Sequence, residues 1–205
     1  MIETRNLILR DITEEDLARH LYWETIENEW QLWDGPWEYE GLSEAERLAQ
    51  AHAYVEKLRR RMEQLRALPP DAPRTTFHIA EKSRPEHAIG WVNSYAIDDD
   101  FTYTAGAGHR AVGIDIPDMQ ARGKGYGTQA LAAFVAYLLD TGLEPVYLQT
   151  WSGNGRMIHL AEKLGFEACC RKKELRLVRG QRYDGLTFRL NVAQFHKVRK
   201  TVLNA

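Results

Sequence analysis

The spacing of hydrophobic and polar positions changes several times along the chain, and each change marks an element. Leu7, Ile8 and Leu9 stand between polar flanks and predict a short first strand. Thr13 and the acids Glu14, Glu15 and Asp16 suit a capped helix start, with the helix ending near Glu27. A turn-rich stretch runs through Gly35 and Pro36. Ser43 and Glu46 then stand at capping-box spacing, predicting a helix of about six turns that stops before Pro69 and Pro70. Strands are read at 75–81, 88–97 and 110–116, the last closed by Pro117. Residues 128–139 read as helix with Gly142 as the stop, 146–151 as strand, and 154–164 as helix closed by Gly165. The last strands flank a turn over 179–185. The order is that of an α/β protein, with a strand-helix-strand-helix unit between 110 and 165. With no repeat or linker in view, residues 1–205 are expected to form one domain carrying a helical elaboration around 28–70.

Composition narrows the function. Hydrophobic residues make up 44% and charged residues 27%, as in an ordinary soluble domain. A net charge of −2 supplies no positive field for nucleic-acid phosphates or an anionic membrane, so neither partner is expected. Cys169 and Cys170 are adjacent, unsuited to a loop-closing disulfide or a zinc site, and are read as reduced thiols; no metal is expected. The first ten residues lack a signal-peptide pattern and no run is long enough to span a bilayer, which points to a cytoplasmic location.

The chemistry concentrates at Arg122-Gly-Lys-Gly-Tyr-Gly127, between a strand and a helix. Side-chain-free residues there let backbone N–H groups converge at the positive end of a helix dipole, which suits a phosphate. A tight strand-to-helix connection would use glycine as well. No Gly-Lys pair is followed by Ser or Thr, which excludes a triphosphate P-loop, and the alternating glycines do not fit the dinucleotide fingerprint.

Arg122, Gly125 and Gly127 instead match the arginine-x-x-glycine-x-glycine signature of the GNAT superfamily of N-acetyltransferases. A second block, Asn154 to Gly165-Phe166, resembles the family's helix and exit at the expected spacing. The resemblance is greatest to the branch with the ribosomal-protein N-terminal acetyltransferases and polyamine- or antibiotic-acetylating relatives. It implies a mixed, mostly antiparallel sheet flanked by helices, acetyl-CoA as cosubstrate, and a possible homodimer. It also implies that amides across Arg122, Gly123, Lys124, Gly125, Tyr126, Gly127 and Thr128 hold the pyrophosphate. Backbone groups of Ile114, Asp115 and Ile116 would pair with the pantetheine arm, and Asn154 would contact the coenzyme. The side chains of Arg122 and Lys124 either add charge to that site or are simply solvated. Where the family commonly carries a tyrosine that protonates the leaving thiolate, this chain has Ala161. That departure leaves the general acid unassigned and keeps a noncatalytic coenzyme-binding or sensory module as the rival reading.

Period-two alternation puts Val112, Ile114 and Ile116 on one face of their strand, and His109, Ala111, Gly113 and Asp115 on the other. With the apolar set toward the helices, Asp115 and His109 turn to the cleft as candidate bases, or serve structural and solvated roles. His159 reads as a surface or packing residue. Ser152 suits substrate binding, a relay or a helix cap.

Between His20 and Gly41 lie four tryptophans and six carboxylates without a lysine or arginine. Such a segment suits a cationic amine, small or on a peptide, and Glu29 and Trp33 are the candidate acceptor contacts. Packing of the first helices, an oligomer interface or the docking of a basic partner would use the same residues.

Overall fold

The computed structural model describes residues 1–204. Among them, one nine-stranded sheet carries the fold. Its strands are β1 (Ile2–Glu3), β2 (Leu7–Arg10), β3 (Thr76–Glu81), β4 (Ala88–Ile97), β5 (Tyr103–Thr104), β6 (His109–Asp115), β7 (Val146–Trp151), β8 (Phe166–Val178) and β9 (Gln181–Leu190). They lie in the order β1-β2-β3-β4-β6-β7-β9-β8, with β5 on the end of β4. Every pairing is antiparallel except that of β6 with β7. The helices are α1 (Glu14–Thr25), α2 (Glu44–Arg66), α3 (Tyr126–Asp140), α4 (Gly155–Lys163) and α5 (Val192–Asn204). This is the mixed, mostly antiparallel α/β architecture expected.

Alternation decides which face each strand residue takes. Leu7, Leu9, Phe77, Ile79, Val92, Val112, Ile114 and Leu148 form one core with α3, whose inward face is a run of Ala, Leu, Phe and Val. α4 and α5 add Ala161, Leu164 and Phe195 to that core. On the opposite face, α1 lays Trp23 against Trp91 and Ala88, and α2 packs on α1 through Leu17, Val55, Leu58 and Met62. α2 begins as predicted: the Ser43 N–H donates to Glu46 (2.8 Å) and the Glu46 N–H donates back to the Ser43 hydroxyl (3.3 Å).

Several elements differ from the sequence reading, which has neither β1 nor β5. The turn-rich stretch holds two short 3-10 helices, Glu29–Leu32 and Pro36–Glu38. The turn placed over 179–185 is confined to Arg179 and Gly180, both with positive φ (50° and 78°), and 181–185 already belong to β9. A two-residue hairpin loop of this kind follows strand twist, so the polar residues after it can pair at once. α5 was not anticipated, because its helical periodicity is carried by few apolar residues among many polar ones.

Candidate active site

The parallel pair β6–β7 opens the site. The two strands are in register over Arg110–Val146, Ala111–Tyr147 and Val112–Leu148 only, and then part. Beyond that point Gly113 to Ile116 and Gln149 to Trp151 line a cleft of about 1190 Å³. At its helical end Gly123 (φ 75°) and Gly125 (φ 79°) take left-handed conformations that turn the chain into α3. The first helical bond there runs from the Gln129 N–H to the Gly125 carbonyl (3.1 Å), leaving the amides of Tyr126, Gly127 and Thr128 at the open end. A Cβ added at Gly123 or Gly125 would meet nothing within 4 Å, so open space stands over the turn. Converging amides under open space fit a pyrophosphate.

The charged side chains near this turn face elsewhere. Arg122 donates through Nε to the Ile116 carbonyl (2.9 Å) and through Nη2 to that of Pro117 (3.1 Å), and its Nη1 pairs with Glu29. It therefore staples the turn to the end of β6. Lys124 lies 3.7 Å from Glu81 and over the Tyr126 ring. Asn154 caps α4 by accepting from the Met157 N–H (3.0 Å), and its amide donates to the Trp33 carbonyl (3.0 Å). Trp151 Nε1 donates to the same carbonyl (2.8 Å). Both Asn154 and Trp33 line the cleft, so residues 28–40 form a strap pinned across it by Trp151 and Asn154.

Asp115 stands at the end of β6 on the face opposite α3, lining the cleft with Asp34 and Glu38 of the strap. Burial raises its carboxyl well above the ordinary range, and repulsion from Asp34 and Glu24 adds to the shift against a smaller pull from Arg122. Asp34 is reached by solvent from the cleft yet ringed by protein, and that desolvation, with Glu38 beside it, pushes it up to about 6. Glu24, buried behind the strap, accepts from Gln31 Nε2 (3.0 Å), but burial still lifts it to about 7. Aromatic rings of Trp30, Trp33, Trp37 and Tyr95 complete the chamber.

The structure brings Asp115, Trp33, Asn154 and the glycine turn together on one cleft, whose lining leaves out Lys124 of that turn and two further candidates. His109 sits at the far end of β6, where Nε2 lies 3.0 Å from Asp99 and its ring packs on Tyr147. Glu29 accepts from Trp33 Nε1 (2.7 Å) and is neutralised by Arg122 and by Arg156 at 3.7 Å, so its charge faces the protein. Ser152 accepts from the Asp184 N–H (3.0 Å) and stitches β7 to β9. His159 is exposed at the cleft rim. Ala161 is fully buried in the core under α3. Sequence reasoning missed Asp34 and Glu38, the strap carboxylates that line the cleft without an ion pair among the described residues, and missed the hairpin residues Lys172 and Arg176, which also line it. The described residues hold no cluster of metal-ligating side chains and no helix long and apolar enough to cross a membrane.

Residues 6–167 match the family model described as an acetyltransferase (GNAT) domain. The chain belongs to this family of acyl-CoA-dependent acetyltransferases. No curated protein matches it by sequence. Among solved structures, a GCN5-related N-acetyltransferase from Brucella melitensis is similar at 17% identity and TM-score 0.66, covering 98% of this chain and 82% of its own. A spermidine N-acetyltransferase from Vibrio cholerae, in complex with CoA and spermine, is similar at 17% identity and TM-score 0.63, with 93% and 98% covered. A ribosomal alpha-N-protein acetyltransferase in complex with coenzyme A is similar at 16% identity and TM-score 0.60, with 91% and 94% covered.

Proposed function

We propose that the protein transfers an acetyl group from acetyl-CoA to a primary amine by direct attack, with Asp115 as the general base. The observation that carries this reading is the meeting, in one cleft, of the parted β6–β7 strands, the amide-rich glycine turn and a carboxylate held above its ordinary pKa. When bound, acetyl-CoA supplies the activated acyl group and leaves as the free thiol. The amides of Gly123 to Thr128 receive its pyrophosphate, and backbone groups of Gly113 to Ile116 meet its extended arm. Arg122 keeps the turn in place through the Ile116 and Pro117 carbonyls instead of contacting phosphate directly.

An amine reaches neutral water as an ammonium ion. Asp34 and Glu38 attract it; the rings of Trp33 and Trp37 shape the chamber while carrying Arg156 and Arg176 over them, each 4.2 Å from the ring centroid. Asp115 then removes the proton; its raised pKa brings it toward the range in which a base is both unprotonated and strong enough to accept. Ala161 has no proton to give, and a thiolate, with a parent thiol pKa of about 8.5, leaves without strong assistance.

Calorimetric titration with acetyl-CoA tests the cofactor site against Gly125→Asp, which sets a carboxylate beside the phosphate position. Release of free thiol across a panel of primary amines tests turnover. Binding that disappears in a folded variant, together with turnover by the intact protein, is the expected result. Equal binding by both proteins would refute the assignment of the glycine turn.

A further inference from the structure

The acceptor chamber has two walls of opposite charge. The strap and the end of β6 supply Asp34, Glu38 and Asp115, whereas the β8–β9 hairpin supplies Lys172 and Arg176. Both cations are half-buried, and among the described residues neither forms an ion pair. Arg176 lies over the Trp37 ring, its guanidinium carbon 4.2 Å from the centroid. The ring contact anchors the group, and among the described residues its N–H groups meet no side-chain partner, which leaves them free to take a carboxylate with two parallel bonds. Lys172 Nζ donates to the Thr102 hydroxyl (3.1 Å) and keeps two further donors.

These cations stand on the acceptor side of the sheet. Trp37 belongs to the strap, and Thr102 adjoins Phe101, which packs with Ala111 and Tyr147 on the face opposite α3. The pyrophosphate turn and α4 lie on the α3 face, so the coenzyme's phosphates do not account for them. β6 and β8 are separated by three strand-to-strand steps through β7 and β9. At about 4.8 Å per step the three steps come to roughly 14 Å; the parting of β6 from β7 adds to this at Asp115 and the reach of the two side chains subtracts from it, leaving a gap between the Asp115 carboxylate and the cations on the order of 10 Å.

Resting on the acetyltransferase reading above, we infer that the acceptor carries a carboxylate as well as its amine, held about 10 Å apart, with Lys172 and Arg176 as the residues that select it. The amine enters at Asp34 and Asp115 while the carboxylate is received by the hairpin. An acceptor with a second cation at its distal end meets repulsion there.

Two probes of equal chain length separate these cases: ω-aminooctanoic acid and diaminooctane, compared by kcat/KM after the acetyl-CoA Kd has been measured by calorimetry. The aminocarboxylate is expected to be favoured by about tenfold or more by the intact protein. Lys172→Glu combined with Arg176→Glu is expected to reverse that preference and leave the acetyl-CoA Kd unchanged. Preference for the diamine, or indifference, in a protein that binds acetyl-CoA would overturn the inference and leave the acetyltransferase reading standing. So would acetylation of other amines but of neither probe. Failure to bind acetyl-CoA would remove the underlying reading, and the inference with it.

Discussion

Asn154 joins two tasks in one side chain, and they can be separated by substitution. Its Oδ1 caps α4, and its Nδ2 holds the strap through the Trp33 carbonyl. Removing an N-cap costs about 1 kcal/mol. Removing one nearly buried hydrogen bond costs about another 1 kcal/mol, since the Trp33 carbonyl keeps its second donor, Trp151 Nε1. Asn154→Ala is therefore expected to lose about 2 kcal/mol in urea denaturation, a fall in Tm of roughly 4–8 °C for a chain of this size. Asn154→Ser keeps the cap oxygen and gives up the strap bond, so it should lose about half as much. Both variants loosen the strap, and with it the positions of Trp33 and Asp34. The acceptor KM should rise by a similar factor in each, about five- to tenfold, while kcat changes little. If Asn154→Ser matched the wild type in acceptor KM, the strap would not depend on this bond and the reasoning would fail.

Three further outcomes follow from the charges. Asp115→Asn is expected to lower kcat by roughly 10²- to 10⁴-fold at an unchanged acetyl-CoA Kd, and steady-state kinetics beside calorimetry would show whether the loss is in chemistry. The acidic limb of the kcat/KM profile should lie above the usual carboxylate range and move to lower pH in Asp34→Asn, because a repelling neighbour is removed; an unmoved limb would count against Asp115 as the base. Glu24 has a folded pKa of about 7 against 4.5 unfolded, so the fold holds its protonated form. Its contribution is complete below pH 4.5 and is lost as pH rises through 7. Glu24→Gln keeps an oxygen for Gln31 and should raise stability by up to about 3 kcal/mol at pH 8 but little at pH 4, as read by urea denaturation at the two pH values.

Local chemistry was legible where it acts over a few residues. The Ser43–Glu46 box, the glycines before α3 and the alternation that turns Asp115 away from α3 are rules of spacing, and the structure follows them. The two-residue turn at Arg179 was misread because Arg gives no signal of the positive φ it adopts. The composition of residues 20–41 drew attention to the segment proposed to face the acceptor, but it does not say which carboxylate stays free. That is decided by partners far along the chain. Glu29 is taken by Arg122, 93 residues away, whereas Asp34 and Glu38 form no ion pair among the described residues and remain as strap carboxylates in the cleft. Lys172 and Arg176 look in sequence like the solvated face of a hairpin. Only the pairing of β8 beyond β9, with Trp37 brought beneath Arg176, puts them opposite the acids. A cleft with one sign of charge would select amines by charge alone, whereas one with opposed walls about 10 Å apart also selects by length. Extending or shortening the aminocarboxylate by two carbons from the preferred length should therefore cost about tenfold in kcat/KM, and a flat response to length would leave charge as the sole criterion.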